Sequence, residues 1–130
     1  MIDQKLKEAA ALHAQGFNCA QAVGMPFAEE LGMPKELAAK ALEGFGAGMG
    51  SREQACGALS GAIFVAGLKN ADGSSPATKK QTYDLAKVLG EAFEARCGAI
   101  PCKTIKAEKK TTCDECIECG VRLTYKLLYK

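Results

Sequence analysis

Seven cysteines punctuate this chain of 130 residues: Cys19, Cys56, Cys97, Cys102, Cys113, Cys116 and Cys119. An odd number cannot pair completely within one chain, and the cysteine density lies below that of disulfide-scaffolded secreted domains. In a reducing compartment such a set more often binds metal or carries redox chemistry than staples a fold. Three of the thiols stand beside helix-start signals. Cys19 follows Asn18, Cys113 follows Thr112, and Cys56 is expected about a turn inside a helix opened by Ser51. Unpaired amides and the positive end of the helix dipole favour an anion there, which lowers a thiol's pKa and raises the fraction present as thiolate. The thiolate is the form that attacks disulfides and ligates metals. One cysteine in a helix is ordinarily a small buried hydrophobe, so the clustering carries the functional reading.

The C-terminal CDECIEC spaces Cys113, Cys116 and Cys119 as C-x-x-C-x-x-C, part of a ferredoxin signature without its later cysteine and proline. On a helix, residues three apart drift around the axis, so these three thiols need not share one metal. RCGAIPC and CDEC suggest another grouping. Cys97, Cys102, Cys113 and Cys116 form two neighbouring pairs that match a structural zinc site in ligand type, in a helical binding module without redox activity.

The stretch GFGAGMGSREQACGALSG, Gly44 to Gly61, places six glycines around Cys56. Gly46, Gly48 and Gly50 can adopt positive φ and let backbone amides approach a bound group, and the helix start that follows attracts anions. No Gly-Lys-Ser/Thr follows and no strand precedes, so neither a P-loop nor a dinucleotide fingerprint is present. Gly57 and Gly61, four apart, leave one helix face nearly bare. That face suits either a tightly crossing helix or a cofactor beside Cys56.

The elements that must position these groups read as helices. Ile2, Leu6, Ala9 and His13 share one face of a first helix that Gly16 can close. Asn18 with Gln21 spells a capping box for a second, which Pro26 should interrupt or kink before Gly32. Pro34 suits the start of a third helix, KELAAKALEGF. Ser51 with Gln54 repeats the capping pattern for a fourth, ACGALSGAIFVAGL, apolar on nearly every side and therefore central. Pro76 starts a fifth through about Ala95, with Tyr83, Leu85, Val88, Leu89 and Phe93 available for burial. RCGAIPCKTI reads as irregular, and Thr112 with Glu115 caps a last helix. Strand signals are nearly absent, so the expected fold is an all-α compact bundle of about six helices in a single domain spanning residues 1–130.

Composition narrows the function. A net charge of +2 supports no nucleic-acid surface, and KAEKK, residues 106–110, reads as a solvated linker. No apolar run is long enough for a membrane span, and the N-terminus shows no export signal, so a cytoplasmic location is expected. His13, the sole histidine, reads as packed or partly exposed rather than as a ligand. No Ser-His-Asp set, paired-carboxylate motif or H-E-x-x-H supports hydrolysis.

Taken together, NCAQAV, GFGAGMGSREQACGALSG, CGAIPC and the CDEC helix resemble the C_GCAxxG_C_C family of redox-active proteins, from about Gly16 to the C-terminus. Cys56, Gly57, Ala58 and Gly61 match the C-G-A-x-x-G element. The resemblance implies a small helical redox protein with an iron–sulfur cluster or similar centre, or a dithiol/disulfide pair. Its four family cysteines would be Cys19, Cys56, Cys102 and Cys113, as redox thiols or metal ligands, with Cys97, Cys116 and Cys119 as additions or alternatives. It implies a redox partner protein or a small-molecule electron donor or acceptor, and leaves a homodimer and enzyme status open.

Overall fold

The computed structural model describes residues 2–107 and 112–129, so from residue 108 the expected basic linker lies outside the described residues. Among them seven helices form: α1 (Ile2–Ala14), α2 (Cys19–Ala28), α3 (Lys35–Leu42), α4 (Gly57–Asn70), α5 (Lys79–Cys97), α6 (Cys102–Ala107) and α7 (Cys113–Leu128). They contain no strand, and the bundle is all-α. The seventh element beyond the six expected is α6, within the RCGAIPCKTI segment whose sequence reads as irregular. None of these helices is long and apolar enough to cross a membrane.

Two starts follow their local spelling. At α2 the Asn18 Oδ1 accepts from the Gln21 amide at 2.9 Å and Gln21 Oε1 accepts from the Asn18 amide at 2.9 Å. The same pair reaches beyond its helix, with Asn18 Nδ2 donating to Glu43 O and Gln21 Nε2 donating to Ala39 O. The cap therefore also ties α2 to α3. Asn18→Ala is expected to cost about 1–2 kcal/mol, read as a lower urea midpoint with an unchanged slope. Thr112 and Glu115 make the corresponding reciprocal pair at α7.

Other boundaries depart from expectation. Pro26 lies inside α2 without interrupting it. Its carbonyl accepts from Lys5 Nζ at 2.7 Å, and the chain tightens into a short 3₁₀ turn before Gly32 closes it at φ 92°. Pro76 opens a 3₁₀ turn rather than α5 itself, and α5 runs on to Cys97. Its Leu89 and Phe93 are fully buried, whereas Tyr83 and Val88 are 64% and 46% exposed. Among the described residues α5 packs chiefly on α4 and α7, which leaves its other side exposed.

The central element is α4, which contacts α2, α5 and α7. A Cβ on Gly61 would lie 2.7 Å from Ala20 O, and one on Gly57 2.9 Å from Ala20 N. Of the two uses open to that bare face, the close helix crossing is the one seen, because only glycine lets the α2 and α4 backbones meet this tightly. Val23, Phe27, Val65, Phe93 and Val121 fill the core around the crossing.

The Ser51–Gln54 capping box does not form. Ser51 Oγ accepts from the Glu53 amide, the Gln54 amide donates to Gly48 O, and α4 begins only at Gly57 with Cys56 as its N-cap. Between Ala47 and Arg52 the loop places Ala47, Gly48, Met49, Gly50 and Arg52 in the left-handed region. A left-handed non-glycine residue costs on the order of 1 kcal/mol, and such strain persists only where surrounding structure imposes it. Here the constraint comes from a distant segment. The Cys56 amide donates to Ile100 O at 2.8 Å and the Cys102 amide to Gln54 O at 3.0 Å, an isolated antiparallel bridge between Ala55 and Pro101.

Candidate functional site

That bridge puts Cys56, the N-cap of α4, beside Cys102, the first residue of α6. Cys19 is the first residue of α2 and Cys113 the first of α7. All four line one pocket of about 290 Å³, together with Cys116 and His13. Residues remote in the chain thus meet because four helices begin around one space. Cys113, Cys56 and Cys102 all lie close enough to Cys19 to act on its charge.

The remaining thiols continue the group inward. Cys116 lies near enough to Cys56 and Cys97, and Cys119 to Cys97, to act on their protonation. The C-x-x-C-x-x-C spacing explains how α7 reaches all of these places. Three residues fall about 60° short of a full turn, so Cys113 faces the pocket, Cys116 its inner wall, and Cys119 the thiol of Cys97. None of the seven cysteines is in a disulfide.

Of the five glycines named as cofactor-binding candidates, Gly57 lines the pocket. Gly61 serves the α2 crossing, and a Cβ on Gly46 would strike the Asn18 side chain at 2.3 Å. Gly48, at φ 58°, has Cys102 Cβ against it, where a side chain would meet that carbon at 2.8 Å. Gly50, at φ 84°, faces open space. These positions shape the loop that closes around the thiols.

A helix start does not by itself decide a thiol's charge. Burial, followed by the neighbouring sulfurs of Cys56 and Cys113, pushes Cys19 up to about 12, opposite to the lowering expected from its position. Cys56 is lowered to about 7, first by the hydrogen bond from Cys116 and then, against burial, by the Ala58 and Leu59 amides at the start of α4. Cys97 is lowered because Cys116 and Cys119 both donate toward it, and those two donors are raised in turn.

In reduced, metal-free protein, alkylation of Cys56 by iodoacetamide is expected to rise with pH through about 7 and level off above it, since only the thiolate reacts. Cys19 should stay unmodified across that range. Peptide mass spectrometry after timed labelling reads both, and Cys116→Ala, which removes the donor, should move the Cys56 profile to higher pH.

His13, expected to be packed or partly exposed rather than a ligand, is half-buried and lines this pocket with its Nδ1 2.7 Å from Asp114 Oδ1. Its place on the inner face of the first helix was visible in the sequence. That the face turns toward Cys19 and Cys113 follows only from the packing of α1 on α7.

Among the described residues no group of three or more His, Cys, Asp or Glu is drawn together to hold one metal ion. That holds alike for the Cys97, Cys102, Cys113 and Cys116 set and for Cys19, Cys56, Cys102 and Cys113. Cys102 and Cys113 border the pocket, while Cys97 lies behind Cys116. An iron–sulfur cluster makes a different demand, because it spreads four thiolates over several iron atoms. Four thiols around the wall of one pocket fit that donor set.

Residues 17–127 match the model of a protein family described as "Putative redox-active protein (C_GCAxxG_C_C)". No curated protein and no solved structure shows significant similarity to the chain.

Proposed function

Given that the chain belongs to the C_GCAxxG_C_C family of redox-active proteins, we propose that the thiol-lined pocket is its redox centre and that Cys19, Cys56, Cys102 and Cys113 ligate an iron–sulfur cluster there. The observation that carries this reading is the convergence of those four thiols, each at the start of a different helix, on one pocket. The chain's own residues would supply the ligands, the helix-start amides that favour thiolate, and a largely apolar surround that limits water. A bound cluster would accept and release single electrons. A protein or small-molecule electron donor or acceptor would exchange them at the pocket mouth.

The test is iron and acid-labile sulfide content of protein prepared without oxygen, with the visible absorption of thiolate-to-iron charge transfer. Colourless protein without iron or sulfide after anaerobic reconstitution rejects the cluster.

A second reading, dithiol/disulfide cycling, is favoured by Cys19 and Cys113 lining the same pocket, near enough for Cys113 to act on Cys19. It predicts a reversible loss of two free thiols on mild oxidation, restored by a dithiol reductant and mapped to these two positions. An unchanged thiol count rejects it.

A further inference from the structure

Away from the thiol pocket, a second cavity of about 340 Å³ opens where the start of α1 and the end of α5 meet α7. It is lined by Ile2 of α1, Arg96 in the last turn of α5, and Arg122, Leu123, Tyr125 and Lys126 of α7. Three of these side chains are cations and none is acidic. Arg122 Nε donates to Glu118 Oε2 at 2.9 Å, which steadies the guanidinium and leaves its terminal N–H groups unused among the described residues. Arg96 and Lys126 have no hydrogen bond and no carboxylate partner among the described residues. The remaining lining is apolar. Leu123 is buried, Ile2 is half-buried, and the Tyr125 ring is stacked on Tyr129 with centroids 5.8 Å apart, which fixes an aromatic wall. Like charges around one space repel each other, and an anion between them turns that repulsion into attraction.

We propose that this cavity binds a small phosphate monoester with an apolar or aromatic body. Arg96, Arg122 and Lys126 hold the phosphate, and the body lies against Ile2, Leu123 and Tyr125. Three cationic groups match the three terminal oxygens of a phosphate monoester, whereas a carboxylate offers two, and guanidinium forks take phosphate through paired N–H donors. Arg122 is already oriented by Glu118 and Tyr125 by Tyr129, so little ordering is left for binding to impose. The volume stands at the small end of the roughly 300–1,000 Å³ of ligand pockets, which suits a small molecule. The site shares no residue with the thiol pocket and holds whatever that pocket contains.

The test is isothermal titration calorimetry on the full chain in a phosphate-free buffer at about 0.15 M salt, where loosely attracted ions are screened. The probe is 1-naphthyl phosphate, compared with inorganic phosphate, 1-naphthol and 1-naphthoate. One equivalent of the probe should bind, at least about tenfold tighter than any of the other three. Arg96→Gln and Arg122→Gln should each weaken it at least about tenfold, the loss expected for a charge-assisted donor. Lys87→Gln removes the same charge from the opposite face of α5 and should leave the affinity within about twofold. Circular dichroism confirms that the helices persist in each variant. No binding at about 1 mM probe would overturn the site. So would inorganic phosphate or 1-naphthoate binding as tightly as the probe, an affinity untouched by either arginine change, or an equal loss in Lys87→Gln protein.

Discussion

Cys56→Ala protein, prepared and reconstituted without oxygen, is expected to retain less than about a tenth of the parent's iron and labile sulfide. The size of the effect follows from what meets this sulfur. Cys56 is the N-cap of the central helix, with Cys116 donating to it and the Ala58 and Leu59 amides facing it, and these hold its pKa down to about 7 against the cost of burial. A large share is therefore thiolate at neutral pH before any metal arrives, whereas Cys19, pushed up to about 12, must be deprotonated by the metal itself. Removing Cys56 takes away the ligand already in its binding form. Elemental analysis and sulfide determination measure the loss, with circular dichroism confirming that the helices persist. Iron and sulfide at the parent level would remove Cys56 from the ligand set.

The second large effect is expected from a residue without chemistry of its own. Gly61→Val should destabilise the fold by about 3 kcal/mol, the upper part of the range for overpacked cores. Even the first added carbon would stand 2.7 Å from Ala20 O and 3.0 Å from Val23 Cβ, and backbone cannot rotate aside as a side chain can. The helix must move, and with it the site. The same crossing sets Cys19 Cβ 3.1 Å from where a Cβ of Gly57 would stand, so separating α2 from α4 draws Cys19 away from Cys56. Urea denaturation reads the stability change, and iron loading of the folded fraction should fall with it. A midpoint equal to that of the parent would show that α2 and α4 do not pack this closely.

How far the sequence foretells this molecule depends on how local the cause is. Asn18 with Gln21 and Thr112 with Glu115 spell capping boxes, and both form, because each is settled within one turn of its own helix. Ser51 with Gln54 has the same spelling and fails. Gly50 and Arg52 on either side of Ser51 are left-handed in a loop that hydrogen-bonds across to Ile100 and Cys102, and a long-range constraint outweighs a cap of about 1 kcal/mol. Likewise Tyr83 and Val88 carry the right type for burial, but among the described residues no element covers their side of α5.

What the linear chain determined unaided is the all-helical class, two of its capped starts, and the placing of Cys19 and Cys113 at helix beginnings, since each depends on residue types a few positions apart, whereas Cys56 becomes the N-cap of α4 beside the long-range pairing with Ile100 and Cys102. Tertiary packing alone decided that these thiols share a pocket with Cys102, that Cys97 joins Cys116 and Cys119 behind it, and that Cys19 is raised while Cys56 is lowered. The reason is physical: a thiol's charge depends on which sulfurs and amides surround it and on how much water is excluded, and both are set by where distant helices come to rest.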